Sequence, residues 1–103
     1  MEFVESGVFT SSITALLTDE EYRDLQAELA LNPKAGAVIP GAGGLRKLRW
    51  QVGGRGKRGG IRVIYYCWSA DRLYMVFTYD KAQAGDLTAK QLRVLRRYVE
   101  GGL

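Results

Sequence analysis

Histidine is absent from the 103 residues, and cysteine occurs once, at Cys67. Without histidine, neither a Ser-His-Asp nor a Cys-His relay can be assembled, and the usual zinc sites lack their ligands. No metal or other cofactor is therefore expected, and acid or base work falls to Lys, Tyr or carboxylates. The lone thiol has no internal disulfide partner and sits in an apolar run, so nothing points to an oxidising compartment. Long apolar runs are missing too: none approaches the ~18 residues of a membrane span. The opening Met-Glu-Phe-Val-Glu-Ser-Gly carries acids where a secretory leader is basic. The expectation is a cytoplasmic protein with no membrane partner. With 47% hydrophobic residues, the chain reads as one domain over 1–103, without internal repeats. A domain of this size buries roughly 60 to 65% of its unfolded surface, so an open surface is expected in place of an enclosed cavity.

Acidic residues are scarce in one region only. None occurs between Leu29 and Ala70, while Lys34, Arg46, Lys47, Arg49, Arg55, Lys57, Arg58 and Arg62 fall there. That stretch holds eight of the fifteen cations, and the remaining seven share the rest of the chain with all eleven acids. A strongly cationic segment interleaved with Trp50, Tyr65, Tyr66 and Trp68 is the footprint expected of a polyanion binder. An acidic protein partner or a membrane surface is the alternative reading.

The local patterns predict an α+β domain of order β-α-α-β-β-β-α: an antiparallel sheet with two N-terminal helices and one C-terminal helix. Phe3 to Glu5 reads as a short edge strand, and Phe9 to Leu17 as a first helix. Thr18-Asp-Glu-Glu21 is a capping box with Leu17 and Tyr22 at its staple positions, and Asn32-Pro33 stops the helix that follows. A loop rich in Gly, Ala and Pro, Lys34 to Gly44, leads to a strand over Leu45 to Trp50. Gly53 to Gly60, with five glycines in eight positions, is a hairpin connection. Ile61 to Trp68 and Leu73 to Tyr79 are strands joined by a turn at Ser69 to Arg72, completing a meander. Thr88 and Gln91 form a second capping box, with Leu92, Leu95 and Val99 as the buried stripe and Gly101-Gly102 as the stop. Lys90, Arg93 and Arg97 share the opposite face.

Several motifs narrow the chemistry. Gly54-Arg-Gly56-Lys-Arg-Gly59 matches G-x-G-x-x-G, but a strand follows where a dinucleotide site needs a helix N-terminus. A P-loop fails as well, because Gln51 and Arg58 occupy positions that require Gly and Ser or Thr. What survives is a cationic hairpin tip able to follow an RNA backbone, or a solvated turn. Lys47 and Arg49 lie two apart on a strand and project from one face, while Leu48 and Trp50 project from the other. They either protect a sheet edge or grip a phosphate. Arg62 opens the next strand and either converges with them or pairs with Asp71, Asp80 or Asp86. Tyr79 and Lys81 end the following strand.

Such a cluster supports one reaction without metal or histidine. An RNA phosphodiester can be cut by its own 2′-hydroxyl once the oxygen is held in line and the phosphorane charge is stabilised. A lysine flanked by other cations has its charged form disfavoured and is a candidate general base.

Taken together, Gly44-Leu-Arg-Lys-Leu-Arg-Trp50, Gly56-Lys57, Gly60-Ile-Arg-Val-Ile-Tyr-Tyr66, and Tyr79-Asp-Lys81 ahead of Asp86-Leu-Thr88 resemble the RelE/HigB superfamily of bacterial type II toxins, closest to its HigB-like branch. The likeness spans nearly the whole chain. It implies the RelE-like microbial RNase fold and a ribosome-dependent messenger-RNA endonuclease that stops growth and is silenced by a cognate antitoxin. It also implies contact with the ribosome and messenger RNA, and with DNA only through a helix-turn-helix antitoxin. Carried over by position, Lys47 and Arg49 stand where these toxins have paired strand lysines, one a proposed general base. Arg62 stands at the transition-state arginine, and Lys81 near the group that protonates the leaving oxygen. Tyr79 replaces a phenol found later in RelE, where this chain has Leu87. Arg46, Arg55, Lys57, Arg58, Lys90, Arg93 and Arg97 are the candidate RNA contacts. Two other readings use the same surface: a ParE-like toxin that poisons DNA gyrase without catalysis, and an RNA-binding module with no activity.

Overall fold

A computed structural model of the chain describes residues 1–52 and 60–101. Strand β1 (Glu2–Glu5) enters helix α1 (Gly7–Leu16) through Ser6. The Ser6 hydroxyl accepts from the Phe9 amide at 3.0 Å and donates to the Val76 carbonyl at 2.7 Å, so one side chain caps the helix and pins it to the sheet. Because of that cap, α1 begins two residues before the Phe9 expected from hydrophobic spacing. Helix α2 (Asp19–Leu31) starts at its capping box: Thr18 Oγ1 accepts from the Glu21 amide at 3.1 Å, and the Glu21 carboxylate accepts from the Thr18 amide at 2.8 Å. It ends at Asn32, ahead of a proline that has no amide to continue the ladder.

Strands β2 (Ala37–Val38), β3 (Arg46–Trp50), β4 (Ile61–Ser69) and β5 (Arg72–Asp80) precede two helices, α3 (Lys81–Ala84) and α4 (Ala89–Glu100). The α+β class and the β3-β4-β5 meander agree with the sequence reading. Two short elements were missed. β2 has two residues, both exposed, and therefore no alternation to detect. α3 is a single turn, started by Asp80 Oδ1 accepting from the Ala82 amide at 2.9 Å and stopped by Gly85 at φ 69°.

The five-stranded sheet has the order β1-β5-β4-β3-β2, and β1 lies parallel to β5. The sheet is thus mixed, correcting the expectation of an antiparallel one. Tight turns enforce antiparallel neighbours only between consecutive strands, whereas both long N-terminal helices and three strands separate β1 from β5.

Each face of the sheet carries its own core. Phe9, Ile13, Leu25 and Leu29 of the N-terminal helices pack on Leu48, Val63, Tyr65 and Met75. On the other face, Leu95 of α4 and Leu45 pack on Ile64, Val76 and Tyr79. Tyr65 is fully buried; its hydroxyl accepts from the Gly36 amide at 2.9 Å and donates to the Pro33 carbonyl at 2.7 Å. That burial removes Tyr65 from the aromatics expected to meet a polyanion, and Trp50 likewise packs against the first core. Trp68 remains exposed, but the Arg72 guanidinium lies 5.1 Å from its ring centroid.

Candidate functional site

Strand register brings the expected cations together. Arg49 pairs with Arg62, and Arg62 with Tyr79, so these three residues form one row across β3, β4 and β5 and project from the same face. Lys47 occupies the next row on that face, opposite Ile64, which in turn opposes Phe77. The row lies at the end of the sheet where β5 passes into α3, and α4 covers the adjoining part of the same face through Leu95. Why the chain folds this way is plain in β3: Leu48 must enter the core below, and alternation then turns Lys47 and Arg49 outward above.

The members differ in availability. Arg49 is exposed and Lys47 half-buried, and among the described residues neither forms an ion pair. Arg62 is only 7% exposed, and its Nη1 donates to the Ile61 carbonyl at 3.4 Å. Lys81 Nζ lies 2.9 Å from Asp86 Oδ1. This pairing differs from the all-cation surroundings that would favour a neutral lysine base. The Lys81 ammonium, beside the Asp86 carboxylate, holds that carboxyl below its usual range, and Lys47 and Arg62 add to the pull.

Tyr79 is 6% exposed, and its Oη is buried without a hydrogen-bond partner among the described residues. Burial pushes its phenol up, and the Asp86 charge pushes the same way; Arg62 opposes them. The Leu87 backbone also opposes the rise without reaching hydrogen-bond geometry. Tyr79 is therefore a protonated donor at neutral pH, enclosed beside the cations.

The outer candidates separate. Arg46 faces away from Lys47 and Arg49: its Nη1 donates to the Gly36 carbonyl at 2.8 Å, holding the loop before β2. Alternation along β3 puts Arg46 on the opposite face from the row, so the structure does not bring it together with Lys47 and Arg49. Arg55, Lys57 and Arg58, with the G-x-G-x-x-G segment, lie outside the described residues. Lys90, Arg93 and Arg97 are exposed along α4. Lys90 borders a hollow of about 310 Å³ floored by Val76, Phe77 and Leu95, whereas Arg93 borders one of about 210 Å³ beside Gly41 and Ala42.

Two pairings were not legible in the sequence. Arg96 docks α4 by donating to the Gly41 carbonyl at 3.0 Å and pairs with Glu100 at 2.7 Å. Asp86 was one of three carboxylates open to Arg62; Asp71 instead accepts from Ser69, Asp80 caps α3, and Asp86 meets Lys81. The available signal was an acid just after a glycine and ahead of the second capping box, five residues beyond Lys81.

Chemically, this arrangement suits an anion with several oxygens: an exposed guanidinium and a half-buried ammonium at the rim, a second guanidinium set deeper, and a protonated phenol beside it. Among the described residues, no cluster of three or more His, Cys, Asp or Glu is placed to hold a metal ion. No described helix is long and apolar enough to cross a membrane. No family model matches the chain.

Proposed function

We propose that this protein is the toxin of a type II toxin-antitoxin system, a HigB-like member of the RelE superfamily that cuts messenger RNA on the ribosome. The observation that carries this reading is the single row of Arg49, Arg62 and Tyr79, with Lys47 beside it, on one open end of the sheet. In this reading the row grips one ribose-phosphate link and the RNA's 2′-hydroxyl is the nucleophile. Lys47 takes up the 2′-hydroxyl proton, Arg49 holds the phosphate, Arg62 stabilises charge on the phosphorane, and Lys81 with Tyr79 gives a proton to the departing 5′ oxygen, leaving a 2′,3′-cyclic phosphate. The partners are the ribosome, messenger RNA and a cognate helix-turn-helix antitoxin, which also provides the only link to DNA, and the compartment is the cytoplasm. The RelE-like microbial RNase fold is part of the same proposal, supported by the strand motif Gly60-Ile-Arg-Val-Ile-Tyr-Tyr66.

Mapping RNA 5′ ends after induction, with and without active translation, tests the reading. Cuts confined to translated messages are expected. Cuts independent of translation, DNA damage, or neither would respectively point to a free nuclease, a gyrase poison, or an RNA-binding module. The last gains weight from Lys81 being engaged by Asp86. Arg62→Ala is expected to abolish growth arrest while antitoxin binding persists. Full toxicity in a variant with the parental melting profile overturns the role of Arg62.

A further inference from the structure

Asp86 stands between α3 and α4, one residue beyond the left-handed turn at Gly85. Cations from three elements act on its carboxylate: Lys81 of α3 in direct contact at 2.9 Å, Lys47 of β3 and Arg62 of β4 through their charge. From β5, Tyr79 is close enough for its phenol to feel the Asp86 charge. The Asp86 side chain is 63% exposed, so it sits at the solvent side of the cluster, where an arriving anion first meets the cations. A carboxylate and a phosphodiester use the same donors, and both cannot be served at once. A second observation concerns the neighbouring donor. Tyr79 Oη, in a residue more than nine-tenths buried, has no acceptor among the described residues even with a carboxylate nearby. The cluster therefore holds more donor capacity than Asp86 uses.

We propose that Asp86 is a resident anion that holds the cation cluster until an RNA phosphodiester displaces it. The proposal rests on the RNA-cleaving reading of the same site and adds how that site is kept from weak anions. With Asp86 in place, an anion that engages one cation gains little, since it must oppose a carboxylate of equal charge. A phosphodiester that takes over Lys81 while also engaging Lys47, Arg49 and Arg62 overcomes the exchange. The carboxylate thus sets a threshold of affinity that only multidentate ligands pass.

The experiment compares the full chain with Asp86→Asn, an isosteric change at an exposed position. Asp24→Asn, at an exposed position on α2, serves as a control that alters net charge equally. Binding is measured at neutral pH and low salt for inorganic phosphate and for an oligonucleotide with 2′-deoxy substitution at every position. Asp86→Asn is expected to bind phosphate roughly tenfold more tightly than the parent, with a smaller gain for the oligonucleotide, and Asp24→Asn is expected to match the parent. Weaker or unchanged binding by Asp86→Asn overturns the proposal and makes Asp86 a support for Lys81. Equal tightening in Asp24→Asn overturns it as a general charge effect. If the parent binds the oligonucleotide but Asp86 does not matter, the RNA reading survives without the proposal. If neither protein binds either probe, both fall.

Discussion

Tyr65 and Tyr79 carry the same phenol into opposite situations. Tyr65 serves two buried backbone groups, the Gly36 amide and the Pro33 carbonyl, whereas Tyr79 Oη serves none among the described residues. A buried unsatisfied donor costs about 1 to 3 kcal/mol, and removing one partner of a satisfied pair costs about the same. Opposite signs follow for one substitution. Tyr65→Phe is expected to lower stability by about 2 kcal/mol, while Tyr79→Phe raises it by about 1 kcal/mol, both read from denaturant midpoints. A Tyr79→Phe variant no more stable than the parent would mean that the phenol has an acceptor in solution. The projection of Lys47 and Arg49 was legible because two-residue alternation is a backbone property. The pairing of Lys81 was not, because it depends on how the chain turns between α3 and α4.

At the scale of elements, the helix starts were the clearest part of the sequence, since a capping box is a local exchange of two hydrogen bonds. Both boxes form at the expected residues, Thr18 with Glu21 and Thr88 with Gln91. Thr88→Ala should cost about 1 kcal/mol in a thermal or denaturant melt, with Thr18→Ala similar. The strand edges were less clear: β2 is too short to show a pattern, and the placement of β1 depends on a partner far along the chain. Gly60 shows what ends the gap between β3 and β4. It adopts φ 58°, and a Cβ there would run into the Trp50 carbonyl oxygen, so Gly60→Ala combines left-handed strain with a backbone clash. A loss of about 2 kcal/mol or more is expected, together with weakened binding of any ligand that needs Arg49 beside Arg62. An unchanged melt would show that the β3-β4 register is set elsewhere.

For the molecule as a whole, the sequence charge map proved a better guide than its aromatic map. Three cations of the acid-free stretch, Lys47, Arg49 and Arg62, share one end of one sheet face, but Tyr65 and Trp50 serve the core below it. Tyrosines pack both faces, and burial pushes the phenols of Tyr22, Tyr65, Tyr74 and Tyr79 up from 10.0. A group whose native pKa is raised contributes stability fully present below its unfolded value and lost as pH rises beyond it. The fold should therefore hold to about pH 10 and weaken steadily above it. An ultraviolet titration is expected to show these four phenols ionising together with the unfolding transition. Their ionisation ahead of unfolding would contradict the burial.

The parallel pairing of β1 with β5 also orders events in time. Glu2 meets Arg72 and Glu5 meets Met75, so the opening strand has no sheet to join until the ribosome has produced the hairpin seventy residues later. Until then the Ser6 hydroxyl has no Val76 carbonyl to bind, and α1 keeps its cap but lacks that tie to the sheet. The earliest part of the chain to be synthesised is consequently among the last to be secured, and the nascent protein passes most of its translation without a closed sheet edge.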